Sequence, residues 1–397
     1  MKSLINKSRR FTGIALLLLV LPLTQAQAQH DIRGITGPDF NLYAFPFNMN
    51  LPDGSSIHMW GFGDMDGGSG ATHPGPVASS YNLPQYPAPT LIVTEGDTVT
   101  ISLTNYGVPQ PVSVVVTGHN VTSSCSGACT AGLVTDAASV GDGAVTYSFV
   151  ASNPGTYIYH SLDGTNPGLQ AEMGLQGVLV VRPSDGSRTA YGSGTMTDYE
   201  QEFLYLLTEI DPDIHIQMER GHYEHFTHSD RSAKIWFVNG RVFPDLFQGD
   251  FNTLYPHQPY QSLALAHPGE DVLVREVNAG HDSHPFHHHG ENLRFVARDG
   301  RLLSSDGAAA DLGRSDNTLN SAPKQAVDMV WKWTGKDLNW DIYGTGEQYQ
   351  HSCNGVPVTE ADPDNLPAGP EFDPVTHEYC ADHGKNLFDL VTLPGPQ

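Results

Sequence analysis

The sequence predicts an all-β protein made of two β-sandwiches in tandem. Glycine and proline are plentiful, with 41 and 28 copies among 397 residues, and long helical patterns are scarce. Short segments in which apolar and polar residues alternate recur between turn signals along two parts of the chain. Such alternation is typical of antiparallel strands that bury one face, and regularly spaced turn signals favour sandwiches.

The first sandwich is predicted over residues 85–183. Its clearest strand follows the turn Glu95-Gly-Asp97, where Val99, Ile101 and Leu103 alternate with threonine and serine. Strict alternation of this kind predicts a half-buried strand. The other strands are predicted at 91–94, 112–116, 145–149, 156–160 and 174–181. Residues 29–84 contain glycine-rich stretches and are predicted to form an irregular N-terminal segment.

A polar stretch rich in serine, glycine and threonine, residues 184–202, is the predicted linker. The second sandwich is predicted over residues 203–340, with strands at 203–207, 235–240, 271–277, 293–296 and 327–333. Residues 341–397 are rich in proline, glycine and aspartate. That composition predicts an irregular tail or insertion, which a disulfide would hold in place.

Residues 1–28 are predicted to be a secretory signal peptide. Four basic residues precede a short apolar stretch, and Ala26-Gln-Ala28 then offers a cleavage site. The apolar stretch is too short to span a membrane, and the alternative is an uncleaved membrane anchor. We therefore expect a soluble mature protein in the periplasm or outside the cell.

The charge balance excludes two classes of partner. The chain carries 20 Lys and Arg against 44 Asp and Glu, and loss of the four basic residues of the leader leaves a net charge of −28. So acidic a surface repels the phosphates of nucleic acids and the headgroups of anionic membranes. We expect neither as a partner.

The four cysteines are expected to form disulfides, because an exported protein meets an oxidising environment. The simplest pairing joins Cys125 to Cys129 within one loop and Cys353 to Cys380 in the tail, although the sequence leaves the connectivity open. The alternative for the first pair is a Cu(I) site made of two thiolates.

The most informative motif is His284-Pro-Phe-His-His-His-Gly290. On a strand, His287 and His289 lie on one face and His288 on the other, because successive side chains alternate. Two imidazoles spaced in this way can bind closely spaced metal ions, and imidazole suits copper, zinc, iron and nickel. The alternative is a histidine-rich surface turn that binds divalent metals without selectivity, but the flanking proline, glycine and strand favour a specific site.

This motif and several others resemble the multicopper oxidase family, whose domains are cupredoxin-like Greek-key β-sandwiches. The resemblance covers roughly residues 85 to 340, and its motifs are specific jointly. They are Pro89-Thr-Leu-Ile-Val93, Glu95-Gly-Asp-Thr-Val99, Pro154-Gly-Thr-Tyr-Ile-Tyr-His-Ser161, Met173-Gly-Leu-Gln-Gly-Val-Leu-Val-Val181, Phe237-Val-Asn-Gly-Arg-Val-Phe-Pro244 and Val272-Leu-Val-Arg275, together with the histidine motif.

The resemblance implies copper as the cofactor and O₂ with a small reducing substrate as partners. In that family four His-x-His pairs hold a trinuclear cluster that reduces O₂, and a separate blue copper is bound through a cysteine and two histidines. By motif match, His284 falls at the blue-copper histidine, His287 and His289 at a cluster pair, and His160 at one cluster histidine.

The sequence also departs from the family pattern. Val115-Val-Thr117 stands where the family has its first His-x-His, His119 is out of register with it, and Leu162 replaces the histidine after Ser161. No His-Cys-His motif supplies a blue-copper thiolate, and three of the eight cluster histidines are matched. We therefore expect an incomplete copper-ligand set, and a C-terminus that is truncated relative to the family is one explanation.

Two further groups receive no metal role. His215, His222, His225 and His228 are interpreted as part of a solvated loop, and Met173 as a residue of the core.

Three hypotheses about function follow from the sequence. The first is an exported copper-binding protein of the multicopper oxidase type, with O₂-dependent oxidoreductase activity if it is active. The second is a non-catalytic cupredoxin scaffold for copper sequestration or surface assembly. The third, ranked last because the His-Cys pair is absent, is a homo-oligomer in the form of a trimer that resembles nitrite reductase, with a copper site between subunits.

Overall fold

Short β-strands form most of the regular structure of this chain. The computed structural model describes residues 30–65, 81–141, 143–162, 166, 168–227, 229–267, 269–336, 338, 352–353, 356–357, 371–375 and 378–380. The predicted signal peptide, residues 1–28, lies outside the described residues. Among the helices that are described, none has the length and apolar character needed to cross a membrane.

The first sandwich consists of two five-stranded sheets. Its strands are β1 (Ile35–Thr36), β2 (Asp39–Asn50), β3 (Ser56–Asp64), β4 (Leu91–Thr94), β5 (Thr98–Asn105), β6 (Val115–Val116), β7 (Thr122–Cys125), β8 (Cys129–Ala131), β9 (Asp136–Ala138), β10 (Ala144–Val150), β11 (Gly155–His160) and β12 (Gln176–Arg182). One sheet has the order β1-β4-β12-β11-β6 and the other β3-β2-β5-β10-β7, while β8 and β9 form a separate ribbon.

The apolar residues whose alternation predicted β5 are the residues of β5 that lie in the core. Val99, Ile101 and Leu103 are fully buried, and their antiparallel neighbours on β10 include Tyr147, which lies opposite Ile101. Met173 is also fully buried in the same core, as its sequence context predicted.

Residues 39–64 differ from the sequence prediction of an irregular segment. They form the long hairpin of β2 and β3, and β2 also pairs in parallel with β5. The chain can pack here because a Cβ at Gly61 would lie 2.7 Å from the carbonyl oxygen of Gln85. The glycine therefore permits a close approach of two backbones. From the sequence alone, the same glycine suggested a loop.

The second sandwich is built around one large sheet. Its strands are β13 (Gln201–Ile210), β14 (Ile235–Val238), β15 (Asp271–Asn278), β16 (His284–His287), β17 (Leu293–Arg298), β18 (Arg301–Leu302), β19 (Arg314–Asp316), β20 (Thr318–Ser321) and β21 (Gln325–Lys332). The order is β14-β13-β15-β21-β17-β18, β19 pairs with β17, and β16 pairs with β20 in a two-stranded sheet.

Two short α-helices lie beside the strands. They are α1 (Leu169–Glu172) and α2 (Pro212–Glu219), and 3₁₀ turns occur at Tyr223–His225 and Asp245–Phe247. Helix α2 begins at Pro212 because Asp211 caps it by accepting a hydrogen bond from the Asp213 amide, and proline suits the first helical position.

The two sandwiches share an apolar interface. Ile158 and Val178 of the first sandwich and Leu206 and Val277 of the second belong to one buried cluster. The predicted linker, 184–202, contributes to the second sandwich's core, since Tyr199 packs there with only 6% of its surface exposed.

Both predicted disulfides are present. Cys125 is bonded to Cys129, and Cys353 is bonded to Cys380. In the tail, β22 (Ser352–Cys353) and β23 (Val356–Pro357) form a small two-stranded sheet, and most of the remainder of residues 341–397 lies outside the described residues.

Candidate metal centre

The histidine motif lies on the two-stranded antiparallel sheet formed by β16 and β20. In this sheet His284 is opposite Ser321 and His287 is opposite Thr318. The amide of His288 continues the ladder by donating to the Asn317 carbonyl at 2.9 Å. The strand pairing therefore continues one residue beyond β16, to the second of the three consecutive histidines.

Alternation along this extended segment separates the three histidines. His287 and His289 are exposed, whereas the ring of His288 packs edge-on against Trp331 with centroids 4.7 Å apart. Burial lowers the pKa of His288. His288 thus anchors the segment, and its two neighbours face solvent.

The rings of His287 and His289 are adjacent, with centroids 4.9 Å apart and an interplanar angle of 73°. Two imidazoles that each bind one shared ion through a nitrogen about 2 Å away have ring centres about 4.5–5 Å apart. The pair therefore fits an ion such as copper, for which imidazole is a good ligand.

His284 is engaged elsewhere. Its Nε2 lies 2.6 Å from Oε2 of Glu209, a carboxylate whose side chain is fully buried. Oε1 of Glu209 accepts from the amides of His281 and Asp282, at 2.6 and 3.0 Å, and from Arg231 at 2.9 Å. A side chain at Gly280 would clash with this carboxylate, so the turn before His284 requires glycine.

A buried ionic cluster continues from Glu209 into the first sandwich. Arg231 donates to Glu172 at 2.8 Å as well as to Glu209, so that one guanidinium joins helix α1 to strand β13. Burial opposes the charge of Arg231, but the two carboxylates outweigh it and raise its pKa. Burial raises the pKa of Glu172, and Arg231 opposes that rise.

His215 belongs to this cluster, contrary to its interpretation as part of a solvated loop. Only 1% of its surface is exposed, its Nδ1 lies 2.7 Å from the His58 carbonyl, and its Nε2 lies 3.8 Å from Glu172. Burial lowers the pKa of His215 to about 4, so the ring is neutral at physiological pH. The nearby His222 is exposed, as predicted.

His160 is at the end of β11, opposite Val115 on β6 and Gln176 on β12. Its Nδ1 lies 3.1 Å from the Ser161 carbonyl. Burial lowers its pKa to about 4, and the ammonium of Lys324 adds to that effect. Lys324 itself donates to Gln176 Oε1 at 2.7 Å and to the Ala279 carbonyl.

Lys324 connects His160 electrostatically with the Glu209 cluster. Burial lowers the pKa of this lysine to about 8, and Glu209 and Glu172 oppose the decrease. Lys324 thus interacts electrostatically both with His160 and with Glu209, the hydrogen-bond partner of His284.

Val115, which the motif match sets at the position of a family histidine, lies directly opposite His160. A histidine at that position would be the immediate neighbour of His160. His119 instead packs between Phe149 and Tyr157, with ring centroids 4.9 and 4.4 Å away. Burial lowers the pKa of His119, which is half-buried against these rings.

Within the part of the chain that the structure describes, no three His, Cys, Asp or Glu side chains converge in a way that could hold a metal ion. His287 and His289 are brought together, while His284 and His160 are tied to other partners. Glu172, Glu209, Arg231 and Lys324 were not singled out by sequence reasoning, because each comes from a different segment and no local motif marks it.

Comparisons with known proteins show which family model and which solved structures the chain resembles. Residues 78–186 match a family model described as multicopper oxidase. Residues 78–186 are therefore of the multicopper oxidase type. Two solved structures, a blue copper oxidase from Nitrosomonas europaea and the multicopper oxidase mgLAC, are each 19% identical and have TM-scores of 0.53. Each alignment covers 74% of both chains, and the likeness confirms the predicted cupredoxin-like sandwiches.

The curated relatives that this chain matches are longer than it is. A probable nitrite reductase-hydroxylamine oxidoreductase fusion protein from Kuenenia stuttgartiensis is 25% identical over 361 residues, which cover 89% of this chain and 35% of the relative. An L-ascorbate oxidase from Cucurbita pepo var. melopepo is 31% identical over 129 residues, covering 32% of this chain and 21% of the relative. The chain therefore spans about a third of the first and about a fifth of the second.

Proposed function

We propose that this chain is an exported copper-binding protein of the multicopper oxidase family, with O₂-dependent oxidoreductase activity and an incomplete copper-ligand set of its own. The observation that carries the proposal is the solvent-facing pair His287 and His289, whose rings are 4.9 Å apart. Bound copper would supply a redox centre at this pair, and the match of residues 78–186 to the multicopper oxidase model supports copper over the other metals that imidazole binds.

The residues around the pair support binding of an ion from solvent. His288 fixes the backbone by packing on Trp331, and the hydrogen bond from His288 to Asn317 holds the end of the β16–β20 pairing. Both liganding rings are exposed, so a bound ion would keep open positions. Open positions accept a substrate, O₂, or ligands from a second copy of the chain in a homo-oligomer.

We expect copper to bind to the natural protein and to be lost when both histidines are replaced. In a His287→Ala/His289→Ala variant the affinity should fall by more than about 100-fold, because loss of even an outer-shell partner costs about 10- to 100-fold. Copper per chain after reconstitution and removal of loosely bound ions measures this, together with the electron paramagnetic resonance spectrum of Cu(II).

A His222→Ala/His267→Ala variant is the matched control, since both of these histidines are exposed and lie outside the motif. It should keep its copper. Equal copper in the natural protein and the motif variant, or none in either, contradicts the proposal.

The alternative function, a non-catalytic scaffold, is favoured by one observation. Among the described residues no group of three or more candidate ligands surrounds a common point. O₂ consumption with a small reducing substrate separates the two functions. Copper-dependent O₂ consumption that the motif variant lacks supports an oxidase, whereas bound copper without consumption supports sequestration or assembly.

A further inference from the structure

A short hydrogen-bonded chain lies behind His287. Nδ1 of His287 is 2.8 Å from Oγ1 of Thr318, and the same Thr318 hydroxyl donates to Oδ1 of Asn317 at 3.0 Å. Thr318 is directly opposite His287 in the β16–β20 pairing. The contact is therefore set by strand register.

The hydrogen-bonding capacity of these groups determines which of them donates in each hydrogen bond. A hydroxyl group has one hydrogen, and a side-chain amide oxygen can only accept. Because the Thr318 hydrogen is directed to Asn317 Oδ1, Oγ1 has only lone pairs for His287. The remaining hydrogen bond then requires a proton on Nδ1 of His287.

A neutral imidazole carries its proton on one nitrogen and has a lone pair on the other. With the proton on Nδ1, the lone pair is on Nε2, the nitrogen at the far side of the ring from Thr318. A metal ion binds a lone pair, so the tautomer decides which nitrogen of His287 can be a ligand.

The backbone that carries Asn317 and Thr318 is held by further hydrogen bonds. The Asn317 carbonyl accepts from the His288 amide at 2.9 Å, and the Asn317 amide donates to Asp316 Oδ1 at 2.9 Å. Leu319, which follows Thr318, has 1% of its surface exposed. These contacts fix the backbone of residues 316 to 319 beneath the histidine pair.

We propose that Thr318, oriented by Asn317, is a positioning residue that holds His287 in the Nδ1–H tautomer and thereby makes Nε2 the nitrogen that binds copper. The assignment of a ligand role rests on the function proposed above. The tautomer itself is a property of the metal-free protein and is measurable without copper.

The first measurement is the tautomer of His287 in the metal-free full-length protein. ¹⁵N-labelled histidine gives distinct long-range ¹H–¹⁵N correlations for the two tautomers, recorded well above the ordinary histidine pKa of about 6.5 so that neutral rings are observed. A His287→Gln variant assigns the signal. We expect Nδ1–H in the natural protein and in Thr318→Ser, which keeps the hydroxyl, and loss of this preference in Thr318→Val.

The second measurement is copper affinity in the same three proteins. Thr318→Val keeps the β-branched shape that suits a strand, so the pairing of β16 with β20 should be retained, and thermal unfolding checks this. We expect the affinity of Thr318→Val to fall about 10- to 100-fold, and that of Thr318→Ser to stay within a few-fold of the natural protein, as for other outer-shell partners.

Each outcome decides a separate point. An Nε2–H tautomer in the natural protein, or unchanged copper affinity in Thr318→Val, overturns the inference even when copper binds. An Nδ1–H tautomer that Thr318→Val loses, with no copper bound by any of the proteins, supports the tautomer assignment and contradicts the proposed copper function.

Discussion

Replacement of Glu202 by glutamine is expected to destabilise the protein by about 3–5 kcal/mol, because it removes the carboxylate that Arg182 and Arg275 share and leaves the buried Arg275 only Asp328 as a counter-charge. Glu202 has no exposed surface, and both of its oxygens are occupied. Arg182 contacts Oε1 and Oε2 at 2.6 Å each, and Arg275 contacts Oε1 at 2.7 Å. The unfolding free energy from denaturant titration measures the loss.

The cost is high because the second arginine has no access to water. Arg275 is fully buried and also reaches Thr156 at 2.8 Å and Asp328 at 3.4 Å. Burial opposes its charge, but Glu202 and Asp328 outweigh that effect and raise its pKa. It therefore stays charged in the variant. Thr156 and Arg182 belong to the first sandwich, so this network also joins the two sandwiches.

A variant in which Glu202, Arg182, Arg275 and Asp328 are all replaced, by Leu, Met, Met and Asn, should lose less stability than Glu202→Gln alone. Removal of a complete buried ion group is often close to neutral, whereas removal of one member leaves an uncompensated charge. Glu219→Gln, on the exposed face of α2, is the control and should change stability by less than about 0.5 kcal/mol. A loss below about 1 kcal/mol in Glu202→Gln would show that water or rearrangement compensates the arginines.

The fold was predictable wherever hydrophobic alternation is strong. β5, β10 and β15 lie where the period of two put them, since each buries one or both faces. The hairpin of β2 and β3 was not predicted, because Gly61 and Pro46 are turn signals in a local reading. Whether such residues interrupt a strand depends on a neighbour such as Gln85, which is distant in sequence.

Part of the candidate site was likewise predictable from local sequence, and part of it was not. His287 and His289 were found because two residues on one strand share a face, and this is a local property of the sequence. The cluster of Glu172, Glu209 and Arg231 was not found, because its members are brought together only by the tertiary fold. A lone glutamate or arginine in a sequence is usually a solvated surface residue, and nothing nearby in the chain marks these as buried.

The Glu276→Gln substitution is expected to have an effect that depends on pH. Glu276 is fully buried on β15, where Ser321 donates to its Oε1 at 2.7 Å and its Oε2 has no hydrogen-bond partner among the described residues. Burial raises the pKa of Glu276 from 4.5 to about 7, and the hydroxyl of Ser321, His284 and Arg298 oppose the increase. The folded protein therefore holds a proton that the unfolded chain releases at lower pH.

The sign of the effect follows from this difference. Between about pH 5 and about pH 8 the folded state binds more protons than the unfolded state at this residue, so the contribution of Glu276 to stability is lost as pH rises. Glutamine does not titrate. The stability of Glu276→Gln relative to the natural protein should therefore increase by about 2 kcal/mol over that range, whatever constant offset the amide introduces.

Glu202→Gln is a matched control for this pH dependence, since it is the same substitution on the adjacent strand β13. Burial opposes ionisation of Glu202, but Arg182 and Arg275 outweigh burial and lower its pKa to about 2. Its contribution is present above the unfolded value of 4.5 and is lost as pH falls toward 2, so its difference from the natural protein should be nearly flat between about pH 5 and about pH 8. A Glu276→Gln difference that is equally flat would mean that Glu276 is ionised throughout. In that case a cation, or water that reaches Oε2, must stabilise a carboxylate directly beneath the histidine strand.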